Sequence, residues 1–343
     1  MDRSHNKNNK DFKGVPLMRS LLSSALLSSG LLAATLSASQ ANAYDDLVIF
    51  GDSLSDTGNL QVFSQDPNMP SRFTNGPVAV EVLAAQLGLS VSNALHLTGQ
   101  QLGNNFAVAG AVAIDEDGDE STPDINLPTQ VNSYLAFNGY QADPDTLYVV
   151  MIGGNDIRAA RTLITQEEHR SKRAANQRLK QATESIKAQL QKLVGAGAQH
   201  ILVVNAPDIG AIPETDLVAM QLLATAEDRK DERRAKRLEK ITRVLSAKYN
   251  GRLASVISDV EEESNIDIHE FDLFQYVTDT VENADTLGLT NTDDACIYVF
   301  SAGGAMNPEC NLDTFLFFDE IHPTTVVHQR AGAALYQSLM AGE

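Results

Sequence analysis

The chain has 343 residues, enough for one large α/β domain or two smaller ones, and 43% of them are apolar, which permits a sizeable core. Its formal net charge of −19 argues against a general phosphate-backbone binder, so no nucleic-acid partner is expected, and gives no support to electrostatic docking on an anionic membrane. Seven histidines and two cysteines show no zinc-type spacing, and no metal is expected.

Residues 1–43 read as a leader. Arg19 precedes a Leu-, Ala- and Ser-rich stretch from Leu21 to Leu36, and Ala41-Asn42-Ala43 then supplies a small-x-small cleavage signature. The stretch is too short and too Ser-rich for a membrane span, and no second long apolar run follows. Residues 1–17 are polar and superfluous to a leader, which suggests Met18 as the natural start. The expectation is a signal peptide cleaved after Ala43, one domain over 44–343, and an exported protein, secreted or periplasmic, without an integral membrane segment.

Leu47 to Phe50 reads as the first strand, and the chain then turns sharply through Gly51-Asp52-Ser53. A hydroxyl at a corner where a strand meets a helix can face a substrate, and the helix N–H groups can meet developing negative charge. Residues 61–77 read as a loop near the mouth of a site, Val78 to Leu87 as a helix, and Asn105 to Val108 as a short strand ending at Gly110. The acidic run 115–120 reads as a solvated loop: Gly118 is misplaced for a calcium-binding loop, and Asn126 stands where the closing Glu belongs. Thr129 to Phe137 suits a short helix. Thr146 to Ile152 is nearly continuous apolar sequence, as a parallel strand covered on both faces requires, and Asn155 follows it.

Residues 167–194 read as a long amphipathic helix with Ile186, Leu190 and Leu193 on one stripe, ended by Gly195-Ala196-Gly197. His200 to Asn205 reads as another strand, 217–262 as charge-rich helix with a solvated face, and Ile266 to Phe271 as the last strand. Residues 279–316 read as a long irregular region, and Thr325 to Leu339 as the closing helix. Strands alternating with helices imply a parallel sheet between helical layers, with the site at the strands' carboxyl ends. Ser53, Gly110 and Asn155 all fall just after predicted strands. Cys296 and Cys310, an even and closely spaced pair in a chain expected to be exported, are expected to form a disulfide; two buried free thiols are the alternative.

A serine hydroxyl is a poor nucleophile until a base takes its proton, and the base needs a carboxylate to fix its tautomer. Asp319 and His322 stand three residues apart, which on a helical turn puts them on one face. Of the other histidines, His5 falls in the leader, His96, His169, His200 and His269 read as surface or strand-edge residues, and His328, six residues past His322, should point to a different face.

Taken together, the block from Phe50 to Asn59 and the block from Asp319 to Thr324 resemble the GDSL family of the SGNH hydrolase superfamily. Asn105-Phe106-Ala107-Val108-Ala109-Gly110-Ala111 and Gly153-Gly154-Asn155-Asp156 resemble its two middle blocks, in family order. One departure is Phe318, where many members carry Trp; it should alter packing beside the site rather than chemistry. The resemblance implies a flavodoxin-like α/β/α sandwich with about five parallel strands. It further implies Ser53 as nucleophile, His322 as base and Asp319 as its orienter. The oxyanion donors would be the N–H groups of Ser53 and Gly110 and the Asn155 amide. The implied activity is cofactor-free hydrolysis of small-molecule or lipid esters. Phospholipase or acyltransferase chemistry at the same site is the alternative, and a non-catalytic exported binding protein would show a lost site residue, which this chain does not. Some relatives are fused to an outer-membrane barrel, for which no room is expected after the closing helix.

Overall fold

Four short apolar runs build one parallel sheet in the order β1-β2-β3-β4. The computed structural model describes residues 44–116, 118, 124–166 and 171–342; the expected leader, half of the acidic run and residues 167–170 of the expected long helix lie outside that set. In chain order the elements are β1 (Asp46–Gly51), α1 (Asn59–Ser64), α2 (Ala79–Gln86), α3 (Leu127–Phe137), β2 (Thr146–Met151), α4 (Gly154–Thr165) and α5 (Ser171–Ala196). They continue with β3 (His200–Val204), α6 (Pro213–Ala224), α7 (Arg229–Ala235), α8 (Leu238–Ser264), β4 (Ile268–Phe271) and α9 (Leu273–Glu282). Then come β5 (Asn291–Ala295), β6 (Ile297–Tyr298), α10 (Val299–Ala302), β7 (Ala305–Met306), β8 (Phe315–Phe317) and α11 (Thr325–Ala341).

Side chains alternate across the pleat, so each strand feeds two cores. The row Val48-Tyr148-Ile201-Ile268, set by the parallel register, packs under α3, α4, α5 and α8. The opposite row, Ile49-Val149-Leu202, packs under α2 and α11. β2 is buried along its whole length, which is why its sequence is apolar without alternation. Full burial of such a Val, Leu or Ile is worth about 1.5–3 kcal/mol, so each buried strand residue adds to the cohesion of the domain. The result is an α/β fold with a parallel sheet between helical layers.

The expected strand 105–108 is instead an extended segment bridged to β1. Ile49 donates to the Asn104 carbonyl at 3.0 Å, and Phe106 donates back to Ile49 at 2.8 Å. Its polar side chains account for the irregularity. Buried Asn105 spends its amide on Ser55 O and Thr57 Oγ1, at 2.7 and 2.9 Å, across the 52–59 turn. The sheet therefore has four strands, with this segment along the outer edge of β1. The region 279–316, read as irregular, contains the end of α9 and two miniature sheets, β5 with β8 and β6 with β7. Cys296 and Cys310 are joined by a disulfide across the β6–β7 hairpin. Among the described residues no helix is long and apolar enough to cross a membrane.

Candidate active site

β1 ends where a side chain would not fit. A Cβ on Gly51 would lie 2.5 Å from the Met151 carbonyl, so only glycine lets β1 run this close to β2. Gln130 of α3 closes the strand end: its Nε2 donates to Gly51 O and its Oε1 accepts from Gly51 N, both at 2.8 Å. The next residues form a hydrogen-bonded turn, with Ser55 and Asp56 both donating to the Asp52 carbonyl at 3.0 Å. Ser53 thus sits in a turn, and the next helix, α1, starts only at Asn59. The expected strand-to-helix corner is replaced because Asp56 intervenes. Its carboxylate takes N–H groups from Gly58, Asn59 and Leu60, and from Ala109 at 2.8 Å, which fastens the turn to the segment carrying Gly110.

Asp319 and His322 are also in a bend rather than on a helical turn, since α11 begins at Thr325. The Asp319 Oδ1 accepts from the N–H groups of Ile321 and His322, both at 2.8 Å, and Phe318 donates to the His322 carbonyl at 2.8 Å. This closed bend does what a helical turn was expected to do. His322 Nδ1 lies 2.9 and 2.8 Å from the two Asp319 oxygens, and His322 Nε2 lies 2.8 Å from Ser53 Oγ. Asp319 and His322 are buried, and Ser53 is half-buried. The ring of Phe73, from the loop expected at the mouth, packs on the His322 ring with centroids 5.3 Å apart. Thr74 Oγ1 donates to the Pro323 carbonyl at 2.9 Å and holds that loop against the bend.

Chemically, such a chain of contacts is able to pass a proton. A neutral imidazole with Nδ1–H directed at a carboxylate presents a bare Nε2 lone pair to the serine hydroxyl. Among the described residues, the Ser53 and Gly110 amides donate no hydrogen bond within the protein, so both are available to an external acceptor. Asn155 begins α4, just beyond β2. Its Nδ2 donates to Ala111 O at 2.9 Å, leaving a second amide hydrogen, and its Oδ1 accepts from Arg158 Nη1 at 2.9 Å. Gly153, at φ +128°, precedes it; a Cβ there would fall 2.1 Å from the buried Tyr249 hydroxyl.

Ser53, Asn155 and His322 line one cleft that opens to solvent. Gly110 is not among that cleft's lining residues; it stands exposed in a positive-φ turn (φ +87°) beside Ala111, whose carbonyl holds Asn155. His328, expected to point elsewhere, lines the same cleft. Six residues of continuous helix would set His328 on another face from His322, but His322 lies in the bend before α11, which starts at Thr325 as expected. His328 accepts from Ala79 N–H through Nδ1 at 3.2 Å, and burial brings its pKa down to about 3, so it stays neutral.

The sequence reading missed four partners. Arg158 pairs bidentately with Glu214, at 3.0 and 2.5 Å, and Arg161 reaches the same carboxylate at 2.7 Å. Burial works against ionising Glu214, but the two guanidiniums prevail and hold it below the usual carboxylate range. Glu214 N also donates to the Glu320 carbonyl at 2.8 Å, next to Asp319. Glu320 is the fourth: fully buried, its carboxylate accepts the N–H groups of Val299, Phe300 and Ser301 and so ties α10 to the Asp319–His322 bend. No local pattern signals these pairs; only the presence of charge in otherwise apolar surroundings could have. Burial pushes the carboxyls of Asp52 and Asp156 up to about 6 each. Among the described residues no group of three His, Cys, Asp or Glu side chains could hold a metal ion.

The model of GDSL-like lipases and acylhydrolases matches residues 47–335. The chain is 28% identical to Lipase 1 of Photorhabdus luminescens, over 84% of this chain and 49% of that protein. It is 24% identical to a phosphatidylcholine-sterol acyltransferase of Aeromonas hydrophila, over 85% of this chain and 89% of that one. Among solved structures, an extracellular lipase from Streptomyces rimosus aligns over 87% of this chain and 99% of its own, with 15% identity and a TM-score of 0.36. The chain spans about half the length of several curated relatives it matches. With a family match running from β1 into α11, the chain belongs to the GDSL-like lipase/acylhydrolase family.

Proposed function

We propose that the protein is an exported serine hydrolase that cleaves carboxylic esters of lipids or small molecules, made as one domain over 44–343 behind a removable leader. The observation that carries this reading is the hydrogen-bonded chain from Ser53 Oγ through His322 to Asp319, each link about 2.8 Å. Ser53 Oγ attacks the ester carbonyl while its proton passes to His322 Nε2. The oxyanion is held by the N–H groups of Ser53 and Gly110 and the second amide hydrogen of Asn155. As the intermediate collapses, the C–O bond to the alcohol breaks and His322 returns the proton to the departing oxygen. Water, deprotonated by the same imidazole, then releases the acid from Ser53. Asp319 keeps the imidazole in the required tautomer throughout.

The name of the Aeromonas relative supports a second outcome at the same site, transfer of the acyl group to an alcohol in place of water. One experiment addresses both. A p-nitrophenyl ester is supplied with and without a long-chain alcohol, and the products are resolved as free acid or new ester. Hydrolysis lost in Ser53→Ala, and covalent labelling of Ser53 by a phosphonate in the active protein, are the expected results. A fully active Ser53→Ala protein would remove the reading.

A further inference from the structure

Charge is not spread evenly along the chain. Residues 227–243 hold eight Lys/Arg against five Asp/Glu, a local net of +3 in a chain whose total is −19. This stretch covers α7 and the start of α8. The acids on α7 are engaged locally. Asp228 caps the helix, accepting from the N–H groups of Lys230 and Asp231 at 2.7 and 2.9 Å. Asp231 pairs with Arg234 at 3.0 Å, and Glu232 lies 3.7 Å from Lys236. Among the described residues, Arg229, Lys230, Arg233 and Arg237 are exposed and belong to no ion pair.

α7 packs on α6, and α6 is unusual for a surface helix. Its acids, Glu214 and Asp216, are confined to the first turn. Glu214 is held by Arg158 and Arg161, and Asp216 faces Glu239, Asp293 and Asp294. The rest of the helix, residues 217–224, carries no charge and a single polar side chain, that of Gln221, yet none of it is buried. Met220 is 58% exposed and Leu223 43%. At 3.6 residues per turn, the run from Leu217 to Met220 puts apolar surface on every side of the helix. A helix that is apolar all round is normally covered, and an exposed one marks contact with something outside the chain. This one stands beside the site. Ile212, just before α6, and Ile321 both line the cleft, and Glu214 N–H donates to the carbonyl of Glu320, whose carboxylate holds α10 and its exposed Phe300.

We propose that α6 and α7 form a docking face for an anionic phospholipid bilayer, with the apolar part of α6 entering the headgroup layer and the α7 cations meeting lipid phosphates. Charge selects this occupant. A second copy of the chain would bring two bodies of net −19 together, and a two-fold contact over this face would gather the cations of both copies. An anionic bilayer matches both halves of the face, supplying apolar depth for α6 and negative charge for α7. The net charge of the whole chain gives no support to such docking, but attraction to a charged surface fades within a Debye length, so the residues nearest the lipid decide it. Docking here would set the bilayer beside the mouth of the cleft at Ile212 and Ile321.

The test is sedimentation of the protein with vesicles, either of phosphatidylcholine alone or of an equal mixture of phosphatidylcholine and phosphatidylglycerol. The protein should bind the mixed vesicles at least tenfold more tightly, and the binding should weaken as salt is raised. Arg233→Gln with Arg237→Gln should weaken it by about fivefold for each cation removed. Met220→Ser with Leu223→Ser should weaken it about tenfold or more. None of these residues lines the cleft, so both variants should keep the wild-type circular dichroism and the wild-type rate on dissolved p-nitrophenyl butanoate. Three results overturn the proposal: no binding by wild type, equal binding to the two kinds of vesicle, or folded variants that both bind as wild type does. A dimer seen by light scattering and dissolved by Met220→Ser with Leu223→Ser assigns the face to a second copy and overturns it as well. Binding is read without turnover. If wild type hydrolyses no ester, the hydrolase reading fails, and the vesicle measurement still decides the docking face.

Discussion

Arg158 donates from Nη1 to Asn155 Oδ1 at 2.9 Å, and this single bond decides which edge of the Asn155 amide carries donors. With Oδ1 committed to the guanidinium, Nδ2 turns to Ala111 O and to the site. Glu214 holds Arg158 by two further bonds, so the amide is oriented through a chain that ends on α6. Arg158 is therefore a positioning residue. If Asn155 donates to the oxyanion as proposed, Arg158→Met should lower kcat about tenfold with little change in KM, because such a donor acts on the transition state. Arg158→Lys, which keeps one donor, should restore part of the loss. A KM defect with normal kcat would mean instead that Arg158 binds substrate.

Asn155→Ala removes the donor outright and should cost more, roughly 10²–10³ in kcat. Because Arg158 and Asn155 act in series, the double variant should be little worse than Asn155→Ala alone. Steady-state kinetics on one short-chain ester closes this cycle, and additive losses would separate the two residues.

The strands β1, β2, β3 and β4 were legible because a parallel sheet covered on both faces demands continuous apolar runs, and few other structures do. The places of Ser53 and Asn155 in the fold were legible because they follow such runs. What sequence spacing could not give was backbone form between elements. Asp319 and His322 meet through a bend closed by the Asp319 carboxylate itself, and a helical reading of the same spacing placed His328 on the wrong side. α4 went unread because Gly153-Gly154-Asn155-Asp156 has the composition of a loop, and it buries only a few residues, Ile157 and Ala160 among them. Glu214 and Gln130 act across 56 and 79 residues of chain, at distances where no local pattern survives.

The disulfide lies closer to the site than its place in an irregular region suggested. Cys296 is fully buried and donates to the Phe317 carbonyl at 3.1 Å, while Ile297 donates to Phe318 at 2.9 Å. A cross-link over a separation of 14 residues is worth about 3 kcal/mol in the chain-entropy model. Cys296→Ser with Cys310→Ser should therefore lower the melting temperature. It should also raise amide exchange first over 297–310, and lower activity because Glu320 loses its ordered partners on α10. Exchange that rises first in β1 and β2 would contradict the order of loosening.

Asp52 predicts a pH dependence of stability. The residue is buried beside Ser53, and its Oδ1 accepts one bond, from Leu54 N–H at 3.0 Å. Burial is the largest influence on it and lifts its pKa from 3.8 to about 6, against the smaller pull of that N–H and of His322. Between those two values the folded chain holds a proton that the unfolded chain has released. Stability therefore falls as pH rises through this window. The penalty is absent below pH 3.8 and fully present above about 6, where it amounts to about 3 kcal/mol for a shift of this size. Asp52→Asn keeps the side-chain oxygen that accepts from Leu54 and removes the charge. Relative to wild type, the variant should gain up to that amount between pH 4 and pH 7, with the two proteins drawing together at the acid end. Urea unfolding of both at half-unit pH steps measures the difference directly. Titration of other groups cancels between two proteins that differ at one site. A difference that stays constant over pH 4–7, or that grows toward acid, would mean that Asp52 is ionised in the folded protein throughout, and that the wall behind Ser53 is more polar than its burial implies.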